Sequence, residues 1–282
     1  LEKLVSDECK RLGLQDVKAE NGRVLCRGTL ADCARLNINL RCGARVMLVL
    51  ADFPARSFEE LFQGTRAVAW EDYLPRDAAF PVKGYSISSQ LHAVPACQSI
   101  IKKAMVERMK SAYHLEQFPE TGAKYQVRFA IFKDQVLLTL DASGEGLFKR
   151  GYRAVGVEAP LRETLAAALV QLSRYRGRDP FCDPFCGSGT IPIEAALIAR
   201  NRAPGLNRAF DAEQWGFVPG NSWQQAKDEA RDREFHGSYD IWGGDVDPQA
   251  VAIARSNAHK AGVAEDIRFE VADMRTFHPV SY

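Results

Sequence analysis

The chain has 282 residues, of which 46% are hydrophobic and 26% charged, so it is long enough to bury more than one core. Its formal net charge of +1 neither demands a nucleic acid partner nor excludes one, because a local basic face is sufficient for binding. No apolar run approaches the roughly 18 residues of a membrane helix, and the seven cysteines form no disulfide framework. We therefore expect a cytoplasmic protein of several domains that has reduced thiols and no membrane partner.

The first 150 residues alternate strand-like and helix-like segments in an α+β pattern. Apolar spacing predicts helices at residues 4–12, 31–40, 58–69 and 96–112, and strands at residues 23–29, 45–52, 82–89, 125–132 and 136–141. Lys133, Asp134 and Gln135 separate the last two strands and predict the turn of a hairpin.

The second half resembles a series of parallel βα units. Its pattern predicts helices at residues 161–175, 191–199 and 249–261, and strands at residues 179–182, 239–244 and 267–271. Asp247 is the expected N-cap of the last helix, with Pro248 at the first helical position, where its missing N–H does no harm.

A glycine turn joins the first of these strands to its helix. Residues 183–190 read Asp-Pro-Phe-Cys-Gly-Ser-Gly-Thr, and Gly187 and Gly189 permit positive φ and a close approach of a ligand to the backbone. The turn lacks both the lysine of a phosphate-binding loop and the third glycine of the dinucleotide fingerprint. Asp183 instead offers a carboxylate to a cationic or amine-bearing ligand. S-adenosylmethionine carries an amine and a sulfonium.

Acidic residues follow all three predicted strands, where ligands bind in an open parallel sheet. If Asp247 caps its helix, Asp245 is left free to accept both ribose hydroxyls. Asp273 is placed to accept from an adenine amine, and Met274 to pack on the ring. A single such acid is usually a cap or a solvated loop residue, but the set of three, Asp183, Asp245 and Asp273, favours a binding site. The predicted cofactor-binding residues are Asp183, Pro184, Phe185, Cys186, Gly187, Ser188, Gly189, Thr190, Asp245, Val246, Asp273 and Met274.

The glycine turn and its continuation to Ala196 resemble the class I RNA methyltransferases that carry an N-terminal THUMP domain, as do residues 202–206 and Trp215. Residues 141–145, 150–153 and 159–166 are also similar to that family, so the resemblance covers nearly the whole chain. The most similar members are the bacterial 23S rRNA guanine-N2 methyltransferases, with archaeal tRNA guanine-N2 enzymes more distant. The resemblance implies S-adenosylmethionine as cofactor, with its methionine part at the turn, its ribose at Asp245 and its adenine at Asp273.

The same resemblance implies the domain order. It predicts a ferredoxin-like segment at residues 1–54, a THUMP RNA-binding domain at residues 55–145 and a Rossmann-like α/β methyltransferase domain at residues 146–282. A complete methyltransferase sheet has seven strands, so the chain is interpreted as a fragment that stops after the third. Members of the family continue into an Asn-Pro-Pro-Tyr motif that holds the amine to be methylated. That motif is expected beyond Tyr282, and no catalytic residue is predicted within the chain.

Basic residues at the domain junction predict the RNA contacts. Lys149, Arg150 and Arg153 could bind phosphates, and Tyr152 could pack or stack on a base. The RNA partner is expected to be rRNA rather than tRNA. Three functions stay open: a guanine-N2 RNA methyltransferase, a non-catalytic fragment that binds RNA and cofactor, and an N6-adenine DNA methyltransferase.

Two cysteines and a glutamate lie in or near the glycine turn. Cys182 and Cys186 are interpreted as small buried thiols rather than a metal or redox pair, because no other Cys or His lies nearby. Glu194 is interpreted as a helix residue near the positive end of the helix dipole.

Overall fold

The computed structural model describes residues 1–153 and 161–277. Its helices are α1 (Glu2–Arg11), α2 (Leu30–Asn39), α3 (Phe58–Arg66), α4 (Val94–Tyr113), α5 (Glu163–Leu172), α6 (Thr190–Ala199), α7 (Ser222–Asp232) and α8 (Pro248–Ala261). Its strands are β1 (Gln15–Glu20), β2 (Arg23–Arg27), β3 (Met47–Pro54), β4 (Val82–Ile87), β5 (Val127–Phe132), β6 (Gln135–Asp141), β7 (Phe181–Asp183), β8 (Ile241–Asp245) and β9 (Ile267–Val271). Among these described helices, none combines the length and apolar character that crossing a membrane requires.

Two compact units share the chain, and neither is continuous in sequence. The first contains Leu1–Ala44, Gly146–Ala209 and Asn221–Tyr282. The second contains Arg45–Glu145 and Phe210–Gly220. The amino-terminal segment therefore clusters with the βα units rather than standing alone. The three-domain division at residues 54 and 145 stays a prediction.

The second unit is a four-stranded sheet in the order β3-β6-β5-β4. β4 runs parallel to β5, and the other two pairings are antiparallel. One face of the sheet is apolar and buried, with Phe129, Ile131 and Leu138 almost inaccessible, and α3 and α4 pack against each other and against β3 and β4. This is the predicted α+β arrangement.

The predicted hairpin turn between β5 and β6 is confirmed. Lys133 and Asp134 have φ angles of 50° and 62°, the left-handed conformation that tight two-residue hairpin turns require. Asp134 adapts to this conformation readily, and its side chain accepts a hydrogen bond from the backbone N–H of Gln90 at 2.8 Å.

The first unit is built on a parallel sheet in the order β7-β8-β9. α6 and α8 pack against it, and their buried residues Ile193, Val251 and Ala254 join Phe269 of β9 in one core. α8 begins as predicted, because the Asp247 side chain accepts from the N–H of Gln249 at 2.8 Å. The sheet therefore brings the carboxyl ends of three strands to one edge.

The amino-terminal segment of the first unit contains α1, the β1–β2 hairpin and α2, which packs against α7. The predicted elements omit β1 and α7. β1 has five exposed residues out of six, so it has no apolar alternation to detect. α7 is strongly polar, and its buried residues, among them Trp223, Ala226 and Ala230, obtain their burial from packing that sequence alone does not show.

Candidate functional site

The candidate site is the carboxyl edge of the parallel sheet. β7 ends at Asp183 and β8 ends at Asp245, while Asp273 lies two residues beyond the end of β9. Ala272, just before Asp273, donates its N–H to the backbone carbonyl of Asp245 at 2.9 Å. The three acids predicted from the sequence therefore share one edge of one sheet.

The glycine turn is held to β8 by backbone hydrogen bonds. Cys186 donates its N–H to the carbonyl of Gly244 at 2.8 Å, and Gly187 donates its N–H to the carboxylate of Asp245 at 2.9 Å. Gly187 has a φ of +52° and Gly189 a φ of +81°, so both occupy the left-handed region as predicted.

The two glycines differ in their surroundings. A Cβ on Gly189 would lie 2.9 Å from the Cβ of Ala254 and 3.1 Å from the ring of Phe269, so this glycine allows the turn to pack on the core. A Cβ on Gly187 would meet nothing within 4 Å. Gly187 therefore borders open space, where a ligand has room to approach the backbone.

Asp245 is not free, which corrects the expectation from sequence. Its two carboxylate oxygens accept from the backbone N–H groups of Gly187, at 2.9 Å, and Asp247, at 3.0 Å. These bonds orient the carboxylate and join the glycine turn to the end of β8. A carboxylate offers about four lone-pair positions, so acceptor capacity remains for a ligand.

Asp183 is partly buried next to this carboxylate. Burial raises the pKa of Asp183, and the negative charge of Asp245 raises it further, while the N–H that Phe185 donates to Asp183 at 3.1 Å opposes the increase. A cationic ligand would stabilise the ionised form of Asp183 beside the Asp245 carboxylate. This electrostatic pattern fits a ligand that bears an amine or a sulfonium.

Asp273 lies at the outer end of the edge and is paired with Arg275, whose Nε lies 2.9 Å from the Asp273 carboxylate. The Arg275 side chain is 82% exposed. The hydrogen bonds from Arg275 lower the pKa of Asp273. An acceptor role toward an adenine amine stays a prediction, and it would require Arg275 to share or release this carboxylate.

Exposed apolar side chains closely follow the three acids in the chain. Phe185, Val246 and Met274 are 69%, 66% and 50% exposed. Each directly follows an acid or lies two residues beyond one, so the edge combines carboxylates with uncovered apolar surface. A ligand with a flat ring and polar substituents would cover that surface and meet the acids, as sites for small cofactors require.

The RNA contacts predicted for Arg150 and Tyr152 are wrong, because the structure buries both side chains. They are 3% exposed, and the Tyr152 hydroxyl donates to the Glu194 carboxylate at 3.1 Å while Arg150 is 3.4 Å from the same group. A side chain inside the first unit cannot reach a phosphate. The charge cluster at the domain junction does not show that Arg150 has a buried anion, Glu194, as its partner.

The other two predicted RNA contacts have different positions. Lys149 is exposed, so the structure leaves that prediction open. Arg153 is 19% exposed and forms an ion pair with Glu163 at 3.0 Å, and it also donates to the hydroxyl of Thr190 at 3.1 Å. Arg153 thus connects to the first residue of α6 rather than pointing outward.

Glu194 is the buried anion that sequence reasoning missed. Its side chain is inaccessible, and it faces the guanidinium of Arg150, whose other N–H groups donate to the carbonyls of Leu147 and Arg41. The available signal was an acid in the otherwise apolar segment 191–199, because a charge on such a helix needs a buried partner.

The interpretation of the two cysteines near the turn as buried thiols is confirmed for Cys186 and wrong for Cys182. Cys186 is buried, and burial raises its pKa to about 12, but Cys182 is exposed. Within residues 1–153 and 161–277, no cluster of three or more His, Cys, Asp or Glu side chains has the arrangement of a metal site.

Comparison with protein families matches the chain in three consecutive parts. Residues 1–47 match the RlmL ferredoxin-like domain, residues 55–141 match the THUMP domain, and residues 150–282 match the RMKL-like methyltransferase domain. The candidate site lies in the third of these matches.

Two curated relatives align with nearly all of the chain. "Putative RNA methyltransferase YpsC" of Bacillus subtilis is 44% identical over 98% of this chain and 72% of its own length. "Ribosomal RNA large subunit methyltransferase K/L" of Psychromonas ingrahamii is 33% identical over 98% of this chain. The chain spans 38% of the length of this second relative.

Solved structures have the same fold. A protein from Listeria monocytogenes described as a "predicted N6-adenine-specific DNA methylase" has a TM-score of 0.95 and 48% identity, over 99% of this chain and 73% of its own. A "putative methyltransferase complexed with SAH" has a TM-score of 0.92 and 41% identity, over 98% and 74%. From the three domain matches and the YpsC alignment, we conclude that the chain belongs to the family of THUMP-domain class I RNA methyltransferases.

Proposed function

We propose that the edge formed by the glycine turn, Asp245 and Asp273 binds S-adenosylmethionine, and that the chain acts in methylation of the N2 amine of a guanine in 23S rRNA. The observation that carries the cofactor proposal is the open space over Gly187, directly beside an oriented carboxylate. A relative with 41% identity was crystallised with SAH, which agrees with this assignment.

Each side chain of the edge has a proposed task. Asp183 balances the positive charge of the methionine part, Asp245 accepts from the ribose hydroxyls and Asp273 accepts from the adenine amine. The exposed side chains of Val246 and Met274 cover the faces of the ring. The bound cofactor supplies a methyl group on a positively charged sulfur, which is electrophilic.

The protein's contribution on this side of the reaction is positioning. Asp245 is already held by two backbone N–H groups, so little ordering is needed when a ligand arrives. Phe185 and Val246 exclude water once a ligand covers them. The exocyclic amine of guanine is a weak nucleophile because its lone pair is delocalised, so orientation against the methyl group is the main requirement.

The choice of substrate rests on names of relatives. The Psychromonas relative is named for the large ribosomal subunit, which supports rRNA over tRNA. A second candidate, methylation of adenine N6 in DNA, is favoured by the description of the Listeria structure. The resemblance to THUMP-containing RNA enzymes supports the first candidate, and residues 55–141 match the THUMP domain.

The cofactor proposal is tested with Asp245→Asn, which keeps the side-chain volume and removes the charge. Asp247→Asn is the matched control, because asparagine caps helices as well as aspartate does and the lost charge lies two residues away. Asp245→Asn should weaken S-adenosylmethionine about 10- to 100-fold, the effect of one charged hydrogen bond, and the control should stay near wild type in titration calorimetry. Equal affinities for all three proteins would reject the ribose assignment.

The substrate proposal needs a separate measurement. Ribosomal RNA, transfer RNA and DNA from cells with and without the intact gene should be digested and analysed for modified nucleosides. We expect N2-methylguanosine to disappear at one position of 23S rRNA. Its persistence there, together with loss from tRNA or loss of N6-methyladenine from DNA, would replace the proposed substrate while leaving the cofactor site intact.

A further inference from the structure

The second unit has a sheet face that no helix of that unit covers. The registers of the four strands place its side chains in three rows that cross β3, β6, β5 and β4. The first row is Val49, Thr139, Arg128 and Lys83; the second is Asp52, Leu137, Ala130 and Tyr85; the third is Pro54, Gln135, Phe132 and Ile87. α3 and α4 lie against the opposite face, where Phe129 and Leu138 are buried.

Large apolar side chains stand uncovered on this outer face. Tyr85, Ile87 and Phe132 are 53%, 52% and 48% exposed, and Val49 at the far strand is 46% exposed. Ile87 and Phe132 are direct partners in the parallel ladder, and Tyr85 is two residues before Ile87 on the same side of β4. A sheet face that contacts only water carries polar residues at such positions. The exposed apolar side chains therefore indicate a surface that binds a partner.

The small side chain of Ala130 shapes the centre of the face. Ala130 pairs with Tyr85 on one side and with Leu137 on the other. Ala130 has the smallest side chain of its row, so it adds little bulk beside the exposed Tyr85 ring.

Positive charge surrounds the aromatic residues. Lys83 is exposed and makes no ion pair with any other residue that the structure describes, and the Lys133 ammonium lies 5.3 Å from the centre of the Phe132 ring. Arg128 and Arg45 both contact the single carboxylate of Asp141, at 2.7 Å and 2.6 Å. Two cations that share one anion leave a net positive charge at that corner.

Opposing charge on the face is sparse. Asp52 is the exposed acid of the three rows, and it accepts a hydrogen bond from the Gln135 amide at 2.7 Å. Asp134, next to Lys133 in the turn, is paired with Arg56. The face therefore combines exposed rings with an excess of cations, which complements a polyanion that has exposed flat bases.

We propose that this outer face, with Tyr85 and Phe132 as stacking residues and Lys83, Arg128 and Lys133 as phosphate contacts, binds an unpaired RNA segment of the substrate. The inference rests on the proposed RNA methyltransferase function and adds where and in what form the RNA is bound. It also replaces Arg150 and Tyr152, which are buried, with residues that solvent reaches.

Unpaired RNA fits the face better than a duplex or a protein does. Stacking requires bases that are not already stacked in a helix. The exposed rings of Tyr85 and Phe132 project from strands, whose backbone positions are held by the sheet. A protein surface that covered the same apolar patch would need acids opposite Lys83 and Lys133. A polyanion other than a nucleic acid has no flat bases to stack on the exposed rings. Sequence preference should be weak, because every base has a face to stack on.

The test is fluorescence anisotropy of the intact protein with a labelled single-stranded RNA decamer and a labelled RNA hairpin of the same composition. Tyr85→Ala and Phe132→Ala should each weaken decamer binding about 5- to 100-fold at fixed salt, which corresponds to the stacking of one base. Tyr85→Phe should retain the affinity. Phe58→Ala is the matched control, since it removes a 41% exposed ring from α3, on the other side of the sheet.

Lys83→Gln tests the electrostatic part separately. It should lower the slope of the logarithm of affinity against the logarithm of salt concentration by the equivalent of about one phosphate contact. The effect should differ little between decamer sequences. Decamer affinity equal to wild type in Tyr85→Ala and Phe132→Ala would overturn the proposal. So would self-association that these substitutions abolish, because the face would then be a protein interface.

The outcomes also separate this inference from the proposed function. If the wild type binds S-adenosylmethionine and RNA but the face variants bind RNA normally, only the location is wrong. If the wild type binds neither the decamer nor the hairpin, the RNA substrate itself is wrong, and the inference fails with it.

Discussion

Replacing Gly189 by alanine tests whether the glycine turn is held by packing as well as by backbone conformation. Gly189 has a φ of +81°, a conformation that destabilises a residue with a Cβ by about 1–2 kcal/mol. The new methyl group would also lie 2.9 Å from Ala254, inside the core, and overpacking of this kind destabilises by about 1–3 kcal/mol. We therefore expect the free energy of unfolding to fall by about 2–5 kcal/mol.

Two other glycines of the same unit supply the controls. Gly13 has a φ of +82°, and a Cβ there would meet nothing within 4 Å, so Gly13→Ala measures the conformational effect alone. Gly187→Ala has the same open surroundings at a φ of +52°. Both should lower the free energy of unfolding by only about 1–2 kcal/mol.

Urea unfolding followed by tryptophan fluorescence measures all three variants, and calorimetry with S-adenosylhomocysteine gives a second readout. Gly187→Ala should lose ligand affinity, because its methyl group enters the space assigned to the ligand, whereas Gly13→Ala should bind normally. A Gly189→Ala protein no less stable than Gly13→Ala would refute the packing argument. Normal ligand affinity in Gly187→Ala would refute the use of that open space.

Three further predictions concern buried and titrating groups. Glu194→Ala leaves the Arg150 guanidinium buried without its anion and should lower the free energy of unfolding by about 3–5 kcal/mol in chemical denaturation. Adding Arg150→Met should recover much of that loss. No recovery would show that the two side chains are not coupled. Burial raises the pKa of Asp183 above its usual 3.8. The carboxyl therefore contributes most to the free energy of unfolding at low pH, where it is protonated. That contribution is lost as the pH rises from about 4 through the raised pKa of the folded protein. Asp183→Asn should accordingly gain stability relative to wild type as pH increases, while binding cofactor more weakly; a pH-independent difference would contradict this. The neighbouring Cys9 thiol lowers the pKa of Cys26, so alkylation of Cys26 by iodoacetamide should begin at a lower pH in the wild type than in Cys9→Ala, whereas an unchanged pH profile would exclude the thiol pair.

The sequence predicted the parts of the fold that depend on neighbouring residues. Strand β9 was predicted at its observed bounds, and the cap at Asp247 and the hairpin turn between β5 and β6 were also confirmed. These features follow from apolar spacing and from backbone preferences within a few residues. The polar helix α7 was missed because its stability depends on packing against α2.

In the candidate site, too, the sequence predicted the local features but not the contacts between distant residues. The sequence placed Asp183, Asp245 and Asp273 at strand ends, and parallel pairing then required a common edge. It did not show that Asp245 already accepts from Gly187, 58 residues earlier in the chain. Which residues act there in cofactor binding stays a prediction for the Asp245→Asn measurement to decide.

By itself the sequence determined the order of the βα units, the two left-handed glycines and the acids that end the strands, because these depend on local patterns. Only the tertiary structure decided that Arg150 and Tyr152 are buried against Glu194, more than 40 residues away, and that Tyr85 and Phe132 remain exposed on one face of the same sheet. Burial is a property of what packs on a side chain, and residues distant in the chain supply those neighbours.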